Sequence, residues 1–148
     1  MRLFFVPFPV IMIFTDRFLS NWMGALSFGP FILMRPKYEN DRGLHVHELE
    51  HSKHWWATFL IGLVAYLLTH QIIFLSLGIG AYGIAYKLSK KFRLLVEARC
   101  YREQIAHYPS ERNVMWAANH LASNYSLGIT QDDARDILKI DADGYYRP

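Results

Sequence analysis

From Trp55 to Tyr86 the chain carries no Asp, Glu, Lys or Arg, and only His70 and Gln71 interrupt the apolar run. A membrane-spanning helix needs about 20 such residues, so this run is long enough to cross a bilayer or to fold back on itself. Gly62, Gly78, Gly80 and Gly83 are scattered through it. Small residues in apolar helices mark close helix packing. Polar helices are expected on both sides. One starts near Leu44 and continues through Trp55 and Trp56 to Thr69. The other runs from about Lys90 to His107, with Pro109 ending it.

The whole chain sets looser bounds. Its 148 residues suit one domain, 1–148, with room for a real core. Apolar residues at 52% and charged residues at 20% are rich for a small soluble protein and modest for a polytopic membrane protein. A net charge of +3 argues against nucleic acid as a partner, which would call for a concentrated basic stripe. The single Cys100 excludes an intramolecular disulfide and a multi-cysteine zinc site, which leaves His and carboxylate to hold any zinc.

Residues 1–14 are almost wholly apolar after Arg2. A buried extended segment is expected there rather than a signal anchor: no small-x-small cleavage site follows, and Pro7 and Pro9 interrupt any helix. Residues 15–27 read as a short amphipathic helix, capped by Thr15 or Asp16, with Phe18, Leu19, Trp22 and Met23 on one side. Gly29-Pro30 breaks the chain. Phe31-Ile32-Leu33-Met34 reads as a strand, either in the core or offering an edge to an extended peptide. Lys37 to Gly43 reads as a loop. Downstream, Ser110 caps a helix whose apolar face is Val114, Ala117, Ala118 and Leu121. Leu127-Gly128 closes that helix, and Thr130-x-x-Asp133 is a capping-box variant before the next. No function is read into the Gly144–Pro148 tail.

The chemistry is concentrated in His45-Val46-His47-Glu48-Leu49-Glu50-His51-Ser52-Lys53-His54, which contains H-E-x-x-H at His47, Glu48 and His51. Residues four apart lie on one helix face, so His47 and His51 can aim two ring nitrogens at one Zn²⁺. Glu48, one position on, is placed to take a proton from an attacking water. The bland alternative is a polar helix with exposed histidines. A catalytic zinc needs a third protein ligand and an open position. The longer H-E-x-x-H-x-x-G-x-x-H signature is absent. His70, His107 and His120 are isolated, and Glu97 is the better candidate.

Glu97-Ala98-x-x-Tyr101-x-x-Gln104, following Tyr86-x-Leu88-Ser89-Lys90-Lys91-Phe92-Arg93-Leu94, resembles the second helix of small gluzincin-type metallopeptidases of bacteriophages and prophages. Gly29-Pro30-Phe31-Ile32-Leu33-Met34-Arg35 is also similar, as is Tyr125-x-Leu127-Gly128-Ile129-Thr130 followed by Asp-Asp-Ala. The likeness covers roughly residues 28–55 and 86–138. It implies a mainly α fold with minor β: a zincin-like helical core with an HExxH helix and a Glu-bearing helix, plus a short N-terminal strand region. It also implies Zn²⁺ held by His47, His51 and Glu97, Glu48 as general base, and a peptide or protein substrate. The stretch from Ala57 to about Ala85 is longer and more apolar than the family pattern.

If His51 and Glu97 meet at one metal, the run between them must return to its starting side. A helical hairpin over residues 57–86 is therefore expected, turning between His70 and Gly80 and associating with a membrane or a protein core. Lys53 before it and Lys87, Lys90, Lys91 and Arg93 after it put both flanks in the cytoplasm. Trp55, Trp56, Tyr82 and Tyr86 are candidates for the membrane interface. Near the motif, His54 is either exposed or supports a ligand, and Glu50 is either solvated or orients an imidazole. Tyr101, four after Glu97, either donates to a developing oxyanion or packs. A second reading is a small membrane-associated binding or structural protein with a structural or incidental metal. A third is hydrolysis of a non-peptide amide such as a cell-wall cross-link.

Overall fold

The computed structural model describes residues 1–5, 8–21 and 23–139. Trp22 and the Gly144–Pro148 tail lie outside them. The chain is predominantly helical, with one mixed sheet near its N-terminus: β1 (Arg2–Phe5), β2 (Pro9–Phe14), β3 (Ala25–Phe28), β4 (Phe31–Met34), α1 (Arg42–Thr69), α2 (Ile72–Leu88), α3 (Lys90–His107), α4 (Glu111–Asn124) and α5 (Gln131–Lys139).

The sheet runs in the order β1-β2-β4-β3, with β2 and β4 parallel and the other two pairs antiparallel. Side chains alternate along a strand, so Val10, Met12, Ile32 and Met34 all point to one face, where they pack against Leu49 of α1. The apolar N-terminal residues are thus strands. Both edges of β4 are occupied, so the outer strand available on that side is β3, not the Phe31–Met34 segment.

Among the described residues of 15–27 the expected helix does not form. Residues 25–28 pair with β4 across Gly29-Pro30 instead. Gly29 takes φ +62 there, and a Cβ on it would meet the Trp55 ring at 3.0 Å. Ahead of β3, the carbonyls of Leu19, Ser20 and Met23 accept from the Arg35 guanidinium at 3.3, 3.0 and 2.8 Å, while Asp16 pairs with it at 2.9 Å. Phe18 sits at φ 68 and is 86% exposed. A distant cation satisfies carbonyls that a helix would have satisfied locally.

α1 begins at Arg42, slightly before the expected start, because Asp41 caps it by accepting from the Leu44 amide at 3.0 Å. A short 3-10 turn at Pro36–Tyr38 occupies part of the expected loop. α1 ends at His70, whose left-handed φ of 57 reverses the chain into α2, at the early end of the expected window. The hairpin closes on backbone: a Cβ on Gly62 would lie 2.5 Å from the Gly78 Cα and 2.6 Å from the Phe74 carbonyl oxygen. Gly62→Val is therefore expected to splay the two helices and cost about 1–3 kcal/mol in denaturant unfolding. Gly83→Ala, whose Cβ would meet nothing within 4 Å, should be neutral or slightly stabilising.

α3 spans the expected residues and is capped by Ser89, which accepts from the Phe92 amide at 3.2 Å. The caps of the last two helices also follow the sequence. Ser110 accepts from Asn113 at 3.2 Å, and Thr130 and Asp133 exchange bonds at 3.0 and 3.1 Å. α4 and α5 bury Val114, Ala117, Leu121 and Leu138 against Ala98, Tyr101 and Ile105 of α3. No single helix among the described residues is long and apolar enough to cross a membrane. α2 and α3 pass together on length and composition but bend by 100° at their junction.

Candidate metal centre

The first half of α1 is polar yet buried: His47, Glu48 and Glu50 are 5%, 6% and 2% exposed. Polar side chains survive such burial only with partners, so where these groups turn defines the site. α1 and α3 pack side by side and bring Glu97, 1% exposed, to both motif histidines. His47 Nε2 lies 3.6 Å from Glu97 Oε2, and His51 Nε2 lies 3.4 Å from Glu97 Oε1. Cys100, one helical turn after Glu97, is also buried, and its Sγ lies within 4.8 Å of the ligating nitrogens of His47 and His51. His47, His51 and Cys100 thus form a cluster able to hold a metal ion, with the Glu97 carboxylate closer to both rings than that outer limit.

The electrostatics are those of charged groups compressed together. Burial alone would raise the Glu97 pKa, but the close approach of His47 and the charges of His51 and His47 outweigh it and lower it to about 2. Burial lowers the His51 pKa to about 4. Burial also opposes protonation of His47, yet the Glu97 carboxylate beside it outweighs that and its pKa rises. Glu97 is thus held ionised and His51 neutral, the forms in which they ligate metals, whereas the carboxylate beside His47 favours its proton, which a metal would have to displace. Glu97 Oε2 remains buried without a hydrogen-bond partner.

Glu48 turns the other way, toward the sheet. The Ser27 hydroxyl of β3 donates to Glu48 Oε2 at 2.7 Å and to the Glu48 carbonyl oxygen at 2.8 Å. Burial raises the Glu48 pKa above the usual carboxylate range. Ser27 had been placed inside a helix by the sequence pattern, so its contact was not visible before the strand was.

The hairpin supplies the next ring of contacts. Tyr82 Oη lies 2.7 Å from His51 Nδ1, and the Tyr86 hydroxyl donates to Glu97 Oε1. The two tyrosines assigned to a membrane interface thus face the centre instead. Their placement depends on how α2 is rotated against α1, which periodicity does not reveal. Tyr82→Phe is expected to weaken metal binding about 10–100-fold by releasing His51, measured by competition with a chromophoric chelator.

The remaining candidates separate. Tyr101 sets its ring edge-to-face on His47 at 4.6 Å, and its hydroxyl meets Tyr125 at 3.1 Å. Glu50 pairs with Lys53 and, at 3.5 Å, with Arg99, rather than with an imidazole. His54 stacks on Tyr82, with centroids 6.3 Å apart. As a lone cysteine Cys100 cannot build a multi-cysteine site, but its spacing from Glu97 puts both on one face of α3. Beside the centre opens a cleft of about 1590 Å³, whose lining includes His47, Glu48, His51 and Glu97, strand β3 and Trp116 of α4. Comparisons with protein families, with characterised proteins and with solved structures give no match.

Proposed function

We propose that the protein is a zinc-dependent peptidase of the gluzincin type, with Zn²⁺ held by His47, His51 and Glu97 and with Glu48 as general base. The observation that carries this reading is the separation of the ligand atoms. Tetrahedral ligands bonded at about 2.0–2.2 Å to zinc lie about 3.3–3.5 Å apart. The two imidazole–carboxylate distances of 3.6 and 3.4 Å match this closely. The buried, unpartnered Glu97 Oε2 fits a cation as its missing partner.

When bound, zinc supplies Lewis acidity that polarises a scissile carbonyl and acidifies water. The chain's own residues supply the rest. Glu48, with its raised pKa, accepts a proton from the attacking water and passes it to the leaving amine. Ser27 holds one Glu48 oxygen and leaves the other free for this exchange. Outer strand β3, carrying Ser27 beside Glu48, is the element along which an extended peptide is proposed to lie.

A second reading is favoured by Cys100. A closed site of His47, His51, Glu97 and Cys100 would leave no open position and would be structural. The test is metal content together with turnover. Purified protein is expected to carry one equivalent of zinc and to hydrolyse a quenched peptide library, and chelation should abolish that activity until zinc is restored. Protein free of stoichiometric zinc at neutral pH would sink the proposal. Zinc without turnover would favour the structural site.

A further inference from the structure

We propose that the outer surface of the α1–α2 hairpin is a membrane-docking surface that dips into one face of an anionic phospholipid bilayer and holds the metal cleft at that surface. The hairpin is uncharged from Trp55 to Tyr86, and between Ala57 and Ile84 only Gly62 and Gly78, which touch each other, are buried. Its large apolar side chains face outward: Ile61, Leu67 and Leu68 are 71%, 59% and 78% exposed, and Ile72 and Ile84 are 65% and 55% exposed.

The distribution of this surface says what covers it. At about 100° per residue, the exposed residues of α2 form one continuous arc of roughly 160°, from Ile79 through Ile72, Gly83, Ser76 and Ile73 to Leu77. An apolar arc this wide suits lipid, which wraps around a helix, better than a single flat partner face. Three hydroxyls of the hairpin are satisfied by helix carbonyls: Thr58 donates to Trp55, Thr69 to Ala65 and Ser76 to Ile72. Trp55 Nε1 donates across to the Ile79 carbonyl at 2.9 Å. Polar groups paired internally in this way suit hydrocarbon.

Length and charge fix the mode. The arm from Trp55 to Thr69 is about 22 Å long and α2 about 25 Å, both short of the roughly 30 Å hydrocarbon core, so the hairpin enters and returns by one face. Exposed Lys87, Lys90 and Lys91 ring its base, where anionic headgroups would lie. Trp55, Phe59 and Ile79 also line the cleft that holds His47 and Glu48, so docking brings that cleft to the bilayer.

Flotation of the purified chain with vesicles tests this independently of any zinc or peptidase activity. The chain is expected to float with phosphatidylcholine–phosphatidylglycerol vesicles and less with phosphatidylcholine alone. The double variant L68E/I72E should lower the bound fraction about tenfold. K90E/K91E should lower it about tenfold on anionic vesicles only. Circular dichroism should be unchanged in both, since all four side chains are exposed. Wild-type protein that stays with neither vesicle, or variants that float equally well, overturns the proposal. So does a lipid-indifferent dimer that L68E/I72E dissociates, which would assign the surface to a second copy of the chain.

Discussion

Glu48→Gln is expected to retain zinc and to lower peptide turnover by about 10²–10⁴-fold, the range over which a positioned general base contributes. The amide has the shape of the carboxylate and can still accept from Ser27, which lies 2.7 Å from Glu48 Oε2, so the local fold should persist. What is lost is the capacity to take a proton. The loss should fall mainly on kcat, because the contact at issue strengthens in the transition state. Turnover measured beside metal content separates the outcomes. Full activity with zinc in place would remove Glu48 from the mechanism, and loss of zinc would show that its role is to support the metal.

The second large effect separates two neighbours on one helix. Glu97→Ala is expected to weaken zinc binding by more than about a hundredfold, since it removes the oxygens lying 3.4 and 3.6 Å from the two rings. It also leaves the Tyr86 hydroxyl, which Glu97 accepts from, without its partner. Cys100→Ala nearly conserves volume at a buried position and should change zinc affinity by no more than a few-fold. Equilibrium dialysis against a zinc buffer reads both. If Cys100→Ala empties the site and Glu97→Ala does not, the thiol is the third ligand. If each empties it, the site is closed and catalysis is excluded.

Local chemistry made much of the helical frame legible. Ser89, Ser110 and Thr130 cap helices that the sequence already delimits, because a cap is a contact over three residues. The approach of Glu97 to His47 and His51 follows the expectation carried by the resemblance of Glu97-Ala98-x-x-Tyr101 to the second helix of gluzincin-type peptidases, not by local chemistry. Residues 15–27 failed for a different reason. Their apolar spacing suits a helix, but Arg35 and the β4 backbone offered better partners from a distance. Ser27 was lost with that error. Tyr82 and Tyr86 were assigned to a membrane interface because an aromatic at the end of an apolar run looks the same whether it faces lipid or a metal. Only the Gly62–Gly78 crossing decides which.

That crossing has a thermodynamic corollary. Tyr82 and Tyr86 reach His51 and Glu97 from α2, while the histidines sit on α1 and the carboxylate on α3. The three helices therefore share one free-energy well. Whatever shifts α2 along α1 moves the partners of both His51 and Glu97 at once. By reciprocity, an ion that fixes those groups must favour one setting of α2 by the same amount. On the proposed reading, metal affinity would report on the setting of a single helix–helix seam.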